Sequence, residues 1–267
     1  MKNGVTLIAG NGILPVIFAR GAKKRGLPVS MISHIGETLP ESEAEAAEVT
    51  RVKVGQFGKI VDAIEKMGNY EVAFVGGITK TSILSGVFPD LLALRLLKKA
   101  RDMRDDTILT TAARHIESLG FKVVSCVKYC PELVVTKGIA GMNKPQEIQL
   151  DDAFYGMKVL ESLSDFSTGQ AVVVKSGNVL AIEAVEGTDG MISRVGGMKL
   201  KNSVLIKAAK REQELRFDIP AVGPVTMKNC ASAGISAVFL EAGRTMFLDR
   251  DATIKAANKA DVAVVGI

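Results

Sequence analysis

Residues 5–15 read VTLIAGNGILP. A β-branched run that passes into Gly10-Asn11-Gly12 and then into a proline-led helix is how nucleotide-binding α/β domains open. The backbone N–H groups of these three residues, next to a helix N-terminus, suit a phosphate or a ribose hydroxyl. They equally suit a tight strand-to-helix turn that needs glycine and nothing more. Pro15 stands where a dinucleotide fingerprint has its third glycine, so the stretch decides a fold before it decides a ligand.

Outward from this loop the chain alternates. Strand patterns at VTLIA, VSMIS, EVAFVGG and FKVVSCV are separated by helical patterns over 15–25, 60–67, 89–103 and 106–119, with an acidic loop or helix around 41–48. Such alternation predicts parallel strands with helical crossovers. A second glycine loop, Gly76-Gly77 followed by Thr79 and Lys80, ends a buried strand. Ligands bind at the carboxyl ends of such strands, so the two loops are expected to line one crevice.

The pattern changes at PELVVTKGIAGMNKPQE (131–147), which carries glycines, two prolines and no clear period. It reads as a linker or a domain-crossing loop. The division expected is a Rossmann-like parallel-sheet domain over 1–130 and a second, mixed α/β domain over 131–267. In the latter, a helix over 150–163 precedes a hairpin centred on Ser176-Gly177-Asn178, then SVLIKAA, the polar stretch KREQELRFD, GISAVFLEAG, a helix over 251–259 and DVAVVGI.

Composition narrows the chemistry. Of 267 residues, 47% are hydrophobic and 24% charged, the balance of a globular chain. A net charge of +5 with dispersed Lys and Arg and only 5% aromatics speaks against nucleic acid as a partner. Cys126, Cys130 and Cys230 include no CxxC pair and read as core residues. No signal-like segment and no apolar run near 18 residues is seen, so a cytoplasmic location is expected. With two histidines, His34 and His115, histidine-activated nucleophiles and zinc hydrolysis lose their basis.

Two stretches of the second half hold suitable groups. In IEAVEGTDGMISRVGG, the carboxylates Glu183, Glu186 and Asp189 surround Gly187-Thr188. They read either as hard ligands for Mg²⁺ or as a solvated turn opening a helix. In IKAAKREQELRFDIPAVGP, Lys207, Lys210, Arg211 and Arg216 supply positive charge, and Asp218 lies between Phe217 and Ile219-Pro220. A carboxylate in that company needs a cation or a metal; a structural pair with Arg216 satisfies the same need.

AGNGILP, RDDTILTTAARHIESLGF, TGQAVVVKSGNVLAIEAVEGTDGM, QELRFDIPAVGPVT and ADVAVVGI, in that order, resemble the LpxI-type UDP-2,3-diacylglucosamine pyrophosphatases of lipid A biosynthesis. Glu214 stands where that pattern has Asp. The resemblance implies a two-domain, Mg²⁺-dependent hydrolase releasing UMP and the acylated sugar 1-phosphate lipid X, with its essential aspartate at Asp218. On this basis Asp218, Asp189, Lys207 and Arg216 are expected to serve the reaction. Gly10, Asn11, Gly12, Gly76, Gly77, Thr79, Lys80, Gly187, Thr188, Lys210 and Gln213 are expected to bind the acylated UDP-sugar, and Asp218, Asp189 and Glu183 to hold Mg²⁺. Such a substrate implies transient contact with the inner face of the cytoplasmic membrane; a homo-oligomer is left open. Two rivals remain: a nicotinamide-dependent oxidoreductase, with Glu37 as the ribose acid, and a non-catalytic nucleotide-sugar binding protein.

Overall fold

Val5, Leu7 and Ala9 are wholly buried, and so are Val29, Met31 and Ile32; strands covered on both faces by helices read in this way. A computed structural model of the chain describes residues 2–79, 89–99, 105–166, 168–211, 214–217 and 219–267. It divides into two units, Met1–Pro131 with Glu214–Asp218, and Glu132–Gln213 with Ile219–Ile267. The RFD stretch that the sequence assigns to the second half therefore belongs with the first unit.

In the first unit, strands β1 (Lys2–Ala9), β2 (Val29–His34), β3 (Glu48–Val52), β4 (Asn69–Val75) and β5 (Lys122–Val123) form a parallel sheet of order β3-β2-β1-β4-β5 among the described residues. Helix α1 (Leu14–Lys24) begins with a proline in its first turn, where the missing N–H costs nothing. After the short α2 (Pro40–Glu43) come α3 (Phe57–Met67), α4 (Leu91–Lys99) and α5 (Asp105–Ser118). Ile60, Ile64 and Met67 of α3 and Ala113 and Ile116 of α5 pack on Ile8, Ile32 and Val72 of the sheet, the spacing expected of an amphipathic helix.

The second unit is built on a mixed sheet. Strands β6 (Gly138–Ile139), β7 (Ala171–Lys175), β8 (Asn178–Ile182), β9 (Ser203–Lys207), β11 (Ile235–Leu240) and β13 (Ala263–Gly266) lie in the order β6-β13-β11-β9-β7-β8, and the short β10 (Ala221–Val222) and β12 (Met246–Phe247) pair separately. β9, β11 and β13 are parallel, while β7, β8 and β6 run antiparallel to their neighbours. Helix α6 (Glu147–Leu163) covers one face through Ala153 and Leu160. Buried residues of α7 (Gly187–Gly197), α8 (Pro224–Ser232) and α9 (Arg250–Lys259) pack into the core of the other. The hairpin turn is fixed by buried Asp152 of α6, whose carboxylate accepts the N–H groups of Ser176 and Gly177 at 2.8 and 2.7 Å.

Three local readings are corrected. The acidic run at 41–48 is helical only to Glu43, and Glu48 opens a fifth strand that its polar sequence conceals. The stretch 131–147 is more than a linker, because Gly138–Ile139 pairs with β13 as the sheet edge. FKVVSCV is a strand for two residues only, since the Ser125 side chain caps a 3-10 turn at Cys126. The three cysteines are buried and form no disulfide among the described residues, and burial pushes the Cys126 thiol up to about 11.

His34, at the end of β2, is buried with Nδ1 2.9 Å from the carbonyl of Ala9. Burial holds its pKa below the ordinary 6.5, against the opposing effects of Ala9 and Glu37. The unfolded chain therefore binds the proton more readily than the folded one. Stability is full above pH 6.5 and is expected to fall as pH drops from there toward the lowered folded value. The fall in melting temperature between pH 7 and 5.5 should be smaller in His34→Gln than in the native chain; an identical fall would remove His34 as its source.

Candidate functional site

In the first unit, strand order reverses between β1 and β4, and their carboxyl ends carry the two glycine loops. The loops close on each other. Gly10 N–H donates to Val75 O at 2.8 Å and Asn11 N–H to Gly77 O at 2.7 Å. A Cβ on Gly10 would stand 2.2 Å from Gly77 O, and one on Gly76 would stand 2.5 Å from Asn11 O. These two glycines are required by backbone packed on backbone, whatever binds nearby. Gly12 differs: its φ is +81°, and a Cβ there would face open space.

The buried Glu37 ties the loops together. Its Oε2 accepts from Asn11 Nδ2 at 2.9 Å, from Thr79 N–H at 3.0 Å and from Thr79 Oγ1 at 2.9 Å. Asn11 Nδ2 also donates to Thr79 Oγ1 at 3.1 Å. Asn11, Gly76, Gly77 and Thr79 thus meet where the two loops join. Glu37 serves as their clamp, and its Oε2 is engaged by loop donors rather than presented to a ribose. Lys80 lies outside the described residues.

In the second unit, Lys207 closes β9 and is 7% exposed. Its Nζ donates to Thr188 Oγ1 at 2.6 Å, and Thr188 Oγ1 donates to Glu183 Oε1 at 2.9 Å. The other oxygen of Glu183 accepts Gln170 N–H at 3.0 Å. The local sequence makes this chain possible: Gly187, at φ +73°, takes a conformation that side-chain-bearing residues resist. It starts α7 immediately after the Glu183 strand end, so that Thr188 can turn back toward the sheet. Antiparallel β7 brings Ala171 opposite Lys207, and β11 brings Leu240 to its other side. Glu241 follows, accepting Ala209 N–H at 2.9 Å and Arg244 Nη1 at 3.1 Å. Arg244 Nη2 donates to the carbonyl of Lys210 at 2.8 Å.

Asp189, in the first turn of α7, accepts Asn229 Nδ2 at 3.0 Å through Oδ1. Both residues line a groove of about 300 Å³ with Ser193 and Ser232. Cys230, next to Asn229 on α8, is wholly buried. Its thiol is raised by burial and by Asp189, while Lys207 acts in the opposite sense; both charges reach one buried point.

The three carboxylates of the EGTD stretch do not converge. Glu183 faces Thr188 and Gln170, Glu186 pairs with Arg194 at 2.6 Å, and Asp189 faces Asn229. Among the described residues no three His, Cys, Asp or Glu side chains gather as a metal group. Glu183, with a protein donor on each oxygen, does not fit a ligand role. Asp189 does fit, since Mg²⁺ is commonly held by one or two carboxylates with substrate phosphates completing its shell.

Arg216 belongs to a segment of the first unit and is doubly paired: Nη1 with Glu117 at 2.7 Å and Nη2 with Glu214 at 2.8 Å. Asp218 and Gln213 lie outside the described residues. Asn229, Gln170 and Glu117 were given no role by the sequence. Asn229 rides on α8, whose only advance signal was Gly223-Pro224 with Thr226 to cap it.

Residues 4–133 match the family model described as the LpxI N-terminal domain, and residues 136–265 that of the LpxI C-terminal domain. The chain is 31% identical, over 98% of its own length and 96% of the relative's, to the UDP-2,3-diacylglucosamine pyrophosphatase LpxI of Caulobacter vibrioides. Among solved structures, the biotin carboxylase subunit of pyruvate carboxylase is matched at 13% identity and a TM-score of 0.29, over 72% of this chain and 40% of that one. Phosphoribosylglycinamide synthetase from Anaerococcus prevotii is matched at 12% identity and a TM-score of 0.26, over 69% and 40%. Likenesses so low carry nothing toward this chain. The two domain matches, laid end to end over the glycine loops of the first unit and the Lys207–Thr188–Glu183 chain of the second, place this chain in the LpxI family.

Proposed function

We propose that this chain hydrolyses the pyrophosphate bond of UDP-2,3-diacylglucosamine, giving UMP and 2,3-diacylglucosamine 1-phosphate. One water is consumed, the P–O–P link is broken, and each product keeps one phosphate. The observation that carries the reading is the buried Lys207 ammonium, aimed by Thr188 at the carboxyl end of β9, in a chain related over almost its full length to an enzyme of that name.

A fixed cation in a site of low water content stabilises charge developing on phosphoryl oxygens, and it needs no reorganisation when the reaction occurs. Thr188 accepts from Lys207 and gives its own proton to Glu183, so the ammonium is held in one direction. Mg²⁺, which the family resemblance implies, would polarise the phosphoryl group and lower the pKa of a bound water, with Asp189 the carboxylate of the second unit suited to hold it. Gly12, the open position of the first unit's loop, is assigned to the nucleotide.

The acyl chains are assigned to the second unit. A groove of about 370 Å³ begins beside Ala208, its walls mixing Phe154, Met157 and Leu160 with charged Lys158, Glu161, Arg211 and Arg244. Burial there is worth about 0.8 kcal/mol per methylene. No helix among the described residues is long and apolar enough to cross a membrane. The protein is proposed to work from the cytoplasm, meeting its substrate at the inner face of the membrane.

The test is direct. Purified protein with UDP-2,3-diacylglucosamine and Mg²⁺ should release UMP, release should stop on chelation, and UDP-N-acetylglucosamine should be a very poor substrate. Binding without turnover would favour a nucleotide-sugar binding protein instead. Equal turnover of both compounds would remove the acyl groove from the account.

A further inference from the structure

Glu214–Phe217 is a short segment with an unusual density of anchors. Ser125 Oγ donates to the carbonyl of Leu215 at 3.0 Å. The Arg216 guanidinium forks between Glu117, on α5, and Glu214, and stands 5.2 Å over the ring of Phe217. Phe217 meets Phe74 of β4 edge-on, with centroids 5.5 Å apart and planes at 82°, and packs against the core cluster of the first unit. Each anchor lies within that unit. On the other side of position 218, Pro220 restrains Ile219, and its carbonyl accepts Met246 N–H at 2.9 Å. Glu214–Phe217 is thus held within the first unit through a carbonyl, a guanidinium and a ring.

We infer that Arg216 is a positioning residue: with Glu117, Glu214 and the Phe217–Phe74 contact it forms a clip that sets the backbone leading into Asp218, and turnover depends on the clip staying docked. The inference rests on the functional reading above and gives Arg216 a different part from the phosphoryl-facing cation expected from sequence. A guanidinium that meets two carboxylates in a planar fork is suited to fixing geometry. A half-exposed ion pair contributes little to global stability, so breaking it should leave the unit folded. A misplacement of about 1 Å at a reacting group can nevertheless cost about 10²-fold in rate.

The experiment compares the native full chain with Glu117→Gln and Arg216→Lys. Glu117→Gln leaves every charge of the proposed reaction in place. Arg216→Lys keeps the positive charge but cannot fork. UMP release gives kcat and KM, thermal melting gives fold integrity, and the rate of tryptic cleavage after residue 216 reports release of the clip. Both variants are expected to lower kcat about 10-fold or more, with KM changed by less than about twofold, the melting transition kept and cleavage faster. A cation acting directly on phosphate predicts instead that Glu117→Gln is as active as the native chain. That result, or a loss of activity merely proportional to the unfolded fraction, overturns the inference alone. A native chain that is silent on this substrate overturns the functional reading, and the inference with it.

Discussion

Asp218→Asn is expected to lower kcat for UMP release by more than about 10²-fold while leaving substrate affinity unchanged or improved. The aspartate sits between Phe217 and Ile219-Pro220, and the family resemblance implies that this is the essential position. Asparagine keeps the shape and removes the charge. If the carboxylate acts in the transition state as metal ligand or base, the loss appears in kcat. Binding can tighten, because a negative charge facing the diphosphate has gone. Kinetics and melting measured on the same preparation separate this from a structural role. A variant that melts early, yet whose folded fraction turns over at the native rate, would show that the reaction does not use Asp218.

Lys207→Met should cost about 10²–10³-fold in kcat/KM, the scale seen when one preorganised charge stabiliser is removed. Methionine retains the aliphatic stem in a strand end that is 7% exposed, so packing is largely kept. What goes is the ammonium that donates to Thr188 at 2.6 Å. Thr188→Val is the graded companion: the charge stays, but the hydroxyl linking it to Glu183 is lost. Its expected cost is about 10-fold, carried by lost direction rather than lost charge. Stopped assays of UMP release, with melting curves as controls, decide the matter. Turnover of Lys207→Met within about threefold of native would mean that this cation does not face the phosphoryl oxygens.

The parts of the architecture with strong local codes were legible. VTLIAGNGILP announced a strand, a glycine turn and a proline-started helix, and β1, Gly10–Gly12 and α1 stand there. EVAFVGG and SVLIKAA gave buried strands, and Ser176-Gly177 gave the hairpin. Missed elements had weak codes. Glu48–Val52 is a strand because it pairs with β2, not because EVTRV alternates usefully, and Gly138–Ile139 is a strand only because β13 is beside it. Such short edge segments take their conformation from a partner that is distant in sequence.

The sequence by itself determined which residue types and turns were available: glycines where backbone must close on backbone or turn left-handed, a threonine after one of them, a lysine at a strand end. Tertiary structure decided what each one serves. Glu37 became the clamp of two loops because strand order reverses between β1 and β4, bringing Asn11 and Thr79, 68 residues apart, within reach of one carboxylate. Glu183 turned to Thr188 and Gln170 instead of joining Glu186 and Asp189. Arg216 found Glu117, 99 residues away. Spacing along the chain fixes only neighbours a few residues apart on one element. A carboxylate's charge is satisfied by whichever donor the packing of helices and strands delivers, and that delivery is a property of the folded chain.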